Sequence, residues 1–245
     1  MSGRHLLICF LLALLCLLPA APCPAASEVV CVFDRDYPPF SYIENGQPAG
    51  FEIDLVRAAA KQAGIKLVLR PLPWGQAQGQ MAVGHAQIIA GMSPTPERRR
   101  LYIFLDPPNA MAKSVIVARQ GGEVRVLDDL AGRRVGALKG SNQVDQLKAR
   151  PRVEIALFDS EALALKAVAE DLVDAAAATD VTARHSIADH GLKGLFFLDQ
   201  PLDSEPLHFA LAPSQIDLAE RLDAALKALR ASGEYERLRK RWLDQ

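Results

Sequence analysis

The feature that most constrains this chain is a rhythm of short apolar runs and longer amphipathic stretches. It begins at Val29 and runs through twice. Consecutive parallel strands need a crossover of about a dozen residues, usually a helix, and this spacing supplies one each time. In the first run Val29–Phe33, Leu67–Leu69 and Ile88–Ala90 read as strands, and Phe51–Ala63 and Gln76–Val83 as helices. Leu55, Val56, Ala59, Ala60 and Ala63 fall on one helical side, and Gly64 is the stop signal. In the second run the strands are Arg134–Leu138, Val153–Leu157, Asp174–Ala178 and Gly194–Phe197. The helices between them are Asn142–Ala149, Glu161–Asp171 and Val181–Asp189. Ile216–Ser232 and Tyr235–Trp242 close the chain as helices broken at Gly233.

Two such runs predict an α/β protein with two lobes. No Pro/Gly/Ser linker separates them. The crossings near Val115–Arg119 and His208–Ala212 read as strands, which fits a chain that enters a second lobe and returns to the first. Lobe 1 is expected over 27–115 and 210–245, and lobe 2 over 116–209, an arrangement that can close like a hinge.

Residues 1–26 stand apart from this pattern. Arg4 and His5 precede the unbroken apolar run Leu6–Leu18, and Pro19 and small residues follow as far as Ala26. That is the order of a secretory signal peptide, with cleavage expected near Ala26 and a mature start near Ser27. A membrane anchor is the competing reading, but the run is short against the ~20 residues that span a bilayer. Pro22 before Cys23 and Leu15 before Cys16 argue against lipoprotein processing. Cys9, Cys16 and Cys23 leave with this segment, so Cys31 alone remains and no internal disulfide can form. Cys31 lies in an apolar strand and reads as a buried residue. The whole chain carries a formal net charge of −1, and loss of Arg4 makes it slightly more acidic. Such a balance offers no footprint for nucleic acid.

Several motifs follow in order: Asp34-Arg35-Asp36-Tyr37-Pro38-Pro39-Phe40, Gly50-Phe51-Glu52-Ile53-Asp54-Leu55 and Gly91-Met92-Ser93-Pro94-Thr95-Pro96-Glu97-Arg98. Asp129-Leu130-Ala131-Gly132-Arg133-Arg134-Val135-Gly136 and Lys139-Gly140-Ser141-Asn142-Gln143 come next. Each is weak alone, but their order and spacing resemble the family 3 extracellular solute-binding proteins, the periplasmic amino-acid receptors of ABC importers. The resemblance covers essentially the whole mature chain, including the tail Gly233-Glu234-Tyr235 through Trp242. It implies the type II periplasmic-binding-protein fold, a small polar ligand in the interlobe cleft, a membrane permease as partner, no cofactor and a monomer.

The resemblance also implies roles for particular residues. Arg98 matches the arginine that holds a ligand carboxylate, which a guanidinium can meet with two parallel hydrogen bonds. Its neighbours Arg99 and Arg100 read as a solvated run. Gly91 and Ser93 match positions that touch the ligand from the same lobe, with a plain turn and a hydroxyl cap as the alternatives. Ser141, Asn142 and Gln143 match the second lobe's contribution, where Gly140-Ser141 opens a helix whose free N–H groups suit an anion. Tyr37 matches an aromatic that stacks on the ligand, and Trp74 a second aromatic wall, with core packing as the other reading of each. Asp34 matches an acid that meets a cationic side chain, or else it caps a strand end.

The family's acid for the α-ammonium would fall on Thr179, and the acid here is one residue later, at Asp180. A one-residue bulge would bring Asp180 in. No nucleophile elbow, Walker loop or dinucleotide fingerprint is present. Gly136-Ala137-Leu138-Lys139-Gly140-Ser141 lacks the Gly-Lys-Ser/Thr ending, and His185, Asp189 and His190 do not have zinc-motif spacing. The expected role is therefore binding without catalysis. Two alternatives stay open. One is a cyclohexadienyl dehydratase on the same fold, with Asp180 or Glu205 as the cleft acid. The other is a sensory or accessory binding module.

Overall fold

The computed structural model describes residues 28–244. The expected signal segment, with Cys9, Cys16 and Cys23, lies outside the described residues. The chain opens with strand β1 (Val29–Asp34) and a small meander, β2 (Asp36–Tyr37), β3 (Ser41–Glu44) and β4 (Gln47–Ala49). Helix α1 (Phe51–Gln62), strand β5 (Leu67–Leu72), helix α2 (Trp74–Ala82) and strand β6 (Ile88–Met92) follow. A short helix α3 (Arg98–Leu101), strand β7 (Ile103–Phe104) and the long strand β8 (Ala110–Arg119) lead into the second run. That run contains β9 (Arg134–Leu138), α4 (Asn142–Lys148), β10 (Glu154–Phe158), α5 (Glu161–Ala169), β11 (Ala175–Thr179), α6 (Asp180–Asp189) and β12 (Leu195–Phe197). The chain ends with β13 (Asp203–Leu211), α7 (Ile216–Ala231) and α8 (Glu234–Leu243).

Both runs of the rhythm are present, and each builds a parallel core. In the first half β1 lies between β5 and β6, parallel to both. In the second half β9 lies between β10 and β11, again parallel to both. Two long antiparallel strands join the halves into one sheet in the order β10-β9-β11-β8-β13-β6-β1-β5. Strand β13 changes partner along its length. Asp203–Leu207 pair with β8, and His208, Ala210 and Leu211 pair with β6. Strand β8 does the same, pairing with β13 over 110–114 and with β11 over 114–118.

The apolar periodicity explains the packing on each side. Phe51, Ile53, Leu55, Val56 and Ala59 of α1 are buried, and they join Cys31, Phe33, Phe209 and the buried face of α7 in one cluster. Glu52 and Asp54 in the first turn of α1 and Lys61 in its last turn suit the helix dipole. Strand β11 is nearly all alanine and fully buried. Ala175 and Ala177 face one cluster of the second half, and Ala176 and Ala178 the other, as expected for a parallel strand covered on both faces.

The structure adds elements that the apolar pattern did not announce. The meander over residues 36–49 and the two-residue β7 are too short or too polar to carry a period. Strands β8 and β13 begin earlier than expected, at Ala110 and Asp203; their added residues pair with each other, and only Ala110, Ala112 and Leu207 among them join an apolar cluster. Helix α2 begins at Trp74, directly after Pro73, and α6 begins at Asp180.

Candidate functional site

In each half the parallel strands present their carboxyl ends to the same place, where ligands of open α/β sheets are generally held. Asp34 ends β1, Trp74 follows β5, and Gly91 and Ser93 mark the end of β6. From the other half, Leu138 ends β9, Glu161 follows β10 and Thr179 ends β11. These residues, with Tyr37, Arg98, Ser141, Asn142, Gln143, Glu205 and Leu207, line one cavity. The space within it, open solvent at its mouth included, is about 390 Å³.

Nine of the ten residues singled out in the sequence meet there. Arg98 opens the four-residue helix α3, six residues beyond the end of β6. Its Nη1 donates to the Ser93 carbonyl (2.8 Å) and its Nη2 to the Gly140 carbonyl (2.8 Å), which leaves its other N–H groups for the cavity. The guanidinium also lies 5.7 Å from the Trp74 ring centre. Arg99 and Arg100 are exposed, and Arg99 stacks over Phe104 instead. Trp74 fits the reading of core packing and also lines the cavity. It packs on Val32, Met81 and Ile89, and its Nε1 donates to the Gly140 carbonyl at 3.0 Å.

Asp34 fits the reading of a strand-end cap and stands at the cavity wall. Its carboxylate accepts the Asp36 N–H at 3.1 Å. Burial pushes its carboxyl up to about 7 despite that bond. Gly91 holds φ +70 beside the Tyr37 ring, a conformation that glycine adopts without strain. Ser93 is buried, and it contributes its carbonyl to Arg98. Ser141 stands at the N-cap of α4 but makes no side-chain cap bond, and its buried hydroxyl has no partner. Asn142 donates to Glu205 at 2.8 Å, and Gln143 donates to the Thr179 hydroxyl at 3.4 Å.

Asp180 is the residue not brought in. Strand β11 pairs with β8 in unbroken register from Ala175 to Thr179, so there is no bulge to turn Asp180 inward. Thr179 takes the cavity position, and Asp180 begins α6, where its carboxylate pairs with Arg184 at 2.7 Å.

An acid nonetheless stands beside Thr179. Glu161, at the first position of α5, accepts the Thr179 N–H and the Thr179 hydroxyl, each at 3.0 Å. The same hydroxyl lies 3.2 Å from the Tyr37 hydroxyl. Burial pushes the Glu161 carboxyl up to about 8, with the charges of Asp34 and Glu205 adding to the rise and the Thr179 bonds opposing it. Burial likewise pushes the Tyr37 phenol well above its ordinary value. Glu205, on β13, is buried and accepts Ser114 Oγ at 2.5 Å and Asn142 Nδ2 at 2.8 Å. The sequence reading missed Glu161 and Thr179 as lining residues and weighed Glu205 only as an enzymatic acid. The available signal was positional, since Glu161 and Thr179 stand where parallel strands end. Among the described residues, no group of three or more His, Cys, Asp or Glu side chains could hold a metal ion. The cavity thus sets one guanidinium against three buried acidic side chains, between two aromatic side chains.

Comparison with known proteins gives a consistent result. A family model described as bacterial extracellular solute-binding proteins, family 3, matches residues 29–245. The arginine-binding extracellular protein ArtP of Bacillus subtilis is 27% identical over 212 residues, covering 84% of this chain and 82% of ArtP. The arginine-, lysine-, histidine-binding protein ArtJ of Geobacillus stearothermophilus superposes with a TM-score of 0.82 at 25% identity, covering 89% of this chain and 96% of that one. A histidine kinase sensor domain similar to periplasmic binding proteins also superposes with a TM-score of 0.82, at 28% identity and 88% coverage of this chain against 96% of that one.

Proposed function

We propose that this chain, which belongs to the family 3 bacterial extracellular solute-binding proteins, captures an amino acid with a cationic side chain and delivers it to the permease of an ABC importer. The observation that carries this reading is the charge balance of the cavity. A lone Arg98 suits one carboxylate, and three buried acids suit more than one cation, because buried charge is tolerated only when paired. Arg98 takes the ligand's carboxylate, aided by the unpartnered Ser141 hydroxyl. Glu161, held by Thr179, takes the α-ammonium in place of Asp180. Asp34 takes the side-chain cation, with Tyr37 and Trp74 as walls. The names of ArtP and ArtJ support the same ligand class.

The lobe boundaries proposed for the hinge are 27–115 with 210–245, and 116–209. The change of partner along β8 and β13 supports breaks within those two strands. Release into the periplasm after removal of residues 1–26, and action as a monomer without a cofactor, complete the reading. The ligand leaves unchanged, so prephenate and arogenate incubated with the protein remain intact.

The test is a thermal-shift and calorimetric screen of the chain from Ser27 onward. Arginine, lysine, ornithine and histidine should raise the melting temperature, and glutamate should not. A ligand at a hundred times its Kd stabilises a fold by about 2.7 kcal/mol. A response to glutamate alone, or to no amino acid, would sink the assignment. The likeness to a kinase sensor domain favours one second reading, a sensory module with the same ligand. Stimulation of ATP hydrolysis by the reconstituted permease complex separates transport from sensing.

A further inference from the structure

We propose that Gln78, a residue outside the cavity, sets the protein's affinity for every ligand alike by latching the two halves together through the carbonyl of Gly140. Three N–H donors of the first half converge on that single oxygen of the second: Trp74 Nε1 at 3.0 Å, Gln78 Nε2 at 3.2 Å and Arg98 Nη2 at 2.8 Å. Trp74 and Arg98 line the cavity, so their bonds cannot be separated from contact with a ligand. Gln78 is not among the lining residues, so its bond to Gly140 can be removed without removing a wall of the cavity.

The sequence arranges this meeting on both sides. Trp74 and Gln78 are four apart on α2, hence one turn apart on the same helix face. Opposite them Gly140 holds φ +74, and a Cβ at that position would stand 2.7 Å from Gln78 Nε2. Only glycine both accepts the backbone turn and lets the α2 face approach its carbonyl.

A contact made between the halves alone changes the balance of open and closed forms. It therefore scales the apparent affinity of every ligand that requires closure by one factor. A neutral hydrogen bond of this kind corresponds to about a 2- to 12-fold change in an equilibrium constant. Gln78 is thus a positioning residue that acts through the closed form, and its signature is a loss without a change in ligand ranking.

The test compares Gln78→Ala, Gln78→Glu and Gly140→Ala, with Gln76→Ala on the exposed side of α2 as control. Arginine, lysine and ornithine are titrated calorimetrically and their dissociation followed by stopped flow. Gln78→Ala should weaken all three ligands by the same factor, about 3- to 10-fold, mainly through faster dissociation. Gln78→Glu, which sets a carboxylate against the carbonyl, should weaken them further, and Gln76→Ala should bind as wild type. In a Gly140→Ala background, removal of the Gln78 amide should cost nothing more. Unchanged affinity in Gln78→Ala, or a loss that differs among the three ligands, overturns the latch. If the wild type binds none of them, it is the ligand assignment that fails. The latch is then read from spin labels at the exposed positions Val83 and Leu157, one on each half. Gln78→Ala must lose short label–label distances relative to wild type, and identical distributions overturn the proposal.

Discussion

The two halves of the sheet share a plan and divide the chemistry unequally. Each sets a parallel three-stranded core with its carboxyl ends toward the cavity. The first half contributes the cation Arg98, the aromatic walls Tyr37 and Trp74, and the carboxylate of Asp34. The second contributes amides and hydroxyls at Ser141, Asn142, Gln143 and Thr179, and the carboxylate of Glu161. On the proposed reading, neither half alone satisfies a zwitterion with a charged side chain. A ligand held by the first half still has an unmet ammonium, and one held by the second has an unmet carboxylate. On that reading closure completes the set and so governs ligand discrimination, while the Gln78–Gly140 contact would add to closure without discriminating.

The largest effect that would break this division is loss of the first half's cation. Arg98→Ala should weaken arginine binding by about 2–5 kcal/mol, the range for truncating one partner of a buried charge pair. Arg98→Lys should recover part of that, because an ammonium lacks the planar fork. Arg99→Ala and Arg100→Ala should bind nearly as wild type in the same calorimetry. Equal binding by all four variants would remove the carboxylate grip from the first half.

The second half's counterpart is Glu161→Gln. It keeps the size of the side chain but removes the charge, and should cost about 1.5–3 kcal/mol, typical of a hydrogen bond to a charged group. If Glu161→Gln binds arginine normally, the ammonium is held elsewhere.

A smaller effect concerns pH. The carboxyls of Asp34 and Glu161 are raised to about 7 and about 8, above their ordinary values, so the folded unliganded chain keeps protons that the unfolded chain gives up. Their contribution to stability is present in acid and is lost as pH rises through those values. Melts at pH 5, 6.5 and 8 should show this decline, with a shallower slope in Glu161→Gln. An identical slope in the variant would place the titrating groups outside the cavity.

The smallest expected effect sharpens the comparison from the other side. Asp180→Asn should change arginine affinity by no more than about 0.5 kcal/mol, as befits a substitution away from the site. A loss comparable to that of Glu161→Gln would return the ammonium to Asp180.

The sequence pattern carried the regular part of the molecule well. Strands that end in a core, such as Val29–Phe33 and Arg134–Leu138, announce themselves by composition, and so does the apolar face of α1. Residues whose partners lie far along the chain do not. The paired portions of β8 and β13 over 110–114 and 203–207 give a core little beyond Ala112 and Leu207, and the polar residues among them leave no apolar signature. The same limit applied to the site. Nine expected residues line the cavity because motif and position coincide in them. Glu161 and Glu205 reach it only through the folding of α5 and β13, and their sequence surroundings look like an ordinary helix start and an ordinary polar strand. Asp180 looked plausible because one residue of slippage in a strand exchanges its two faces. The unbroken pairing of β11 with β8 excludes that slip.

The pairing of β8 with β13 has a mechanical consequence. Two separate tethers would let the halves swing, shear and twist independently. Here the connection is a hydrogen-bonded ribbon, Asp203–Leu207 against 110–114. Such a ribbon flexes easily across its flat face, whereas bending within its plane would slide one strand along the other and break the ladder. On the proposed lobe division, the relative motion of the halves would thereby be funnelled toward a single angular coordinate. An encounter that starts closure at one edge of the cavity already determines what the opposite edge will meet. Leu207 and Glu205 ride on this ribbon and line the cavity as well, so on that division the element that flexes would itself be part of the surface it brings together.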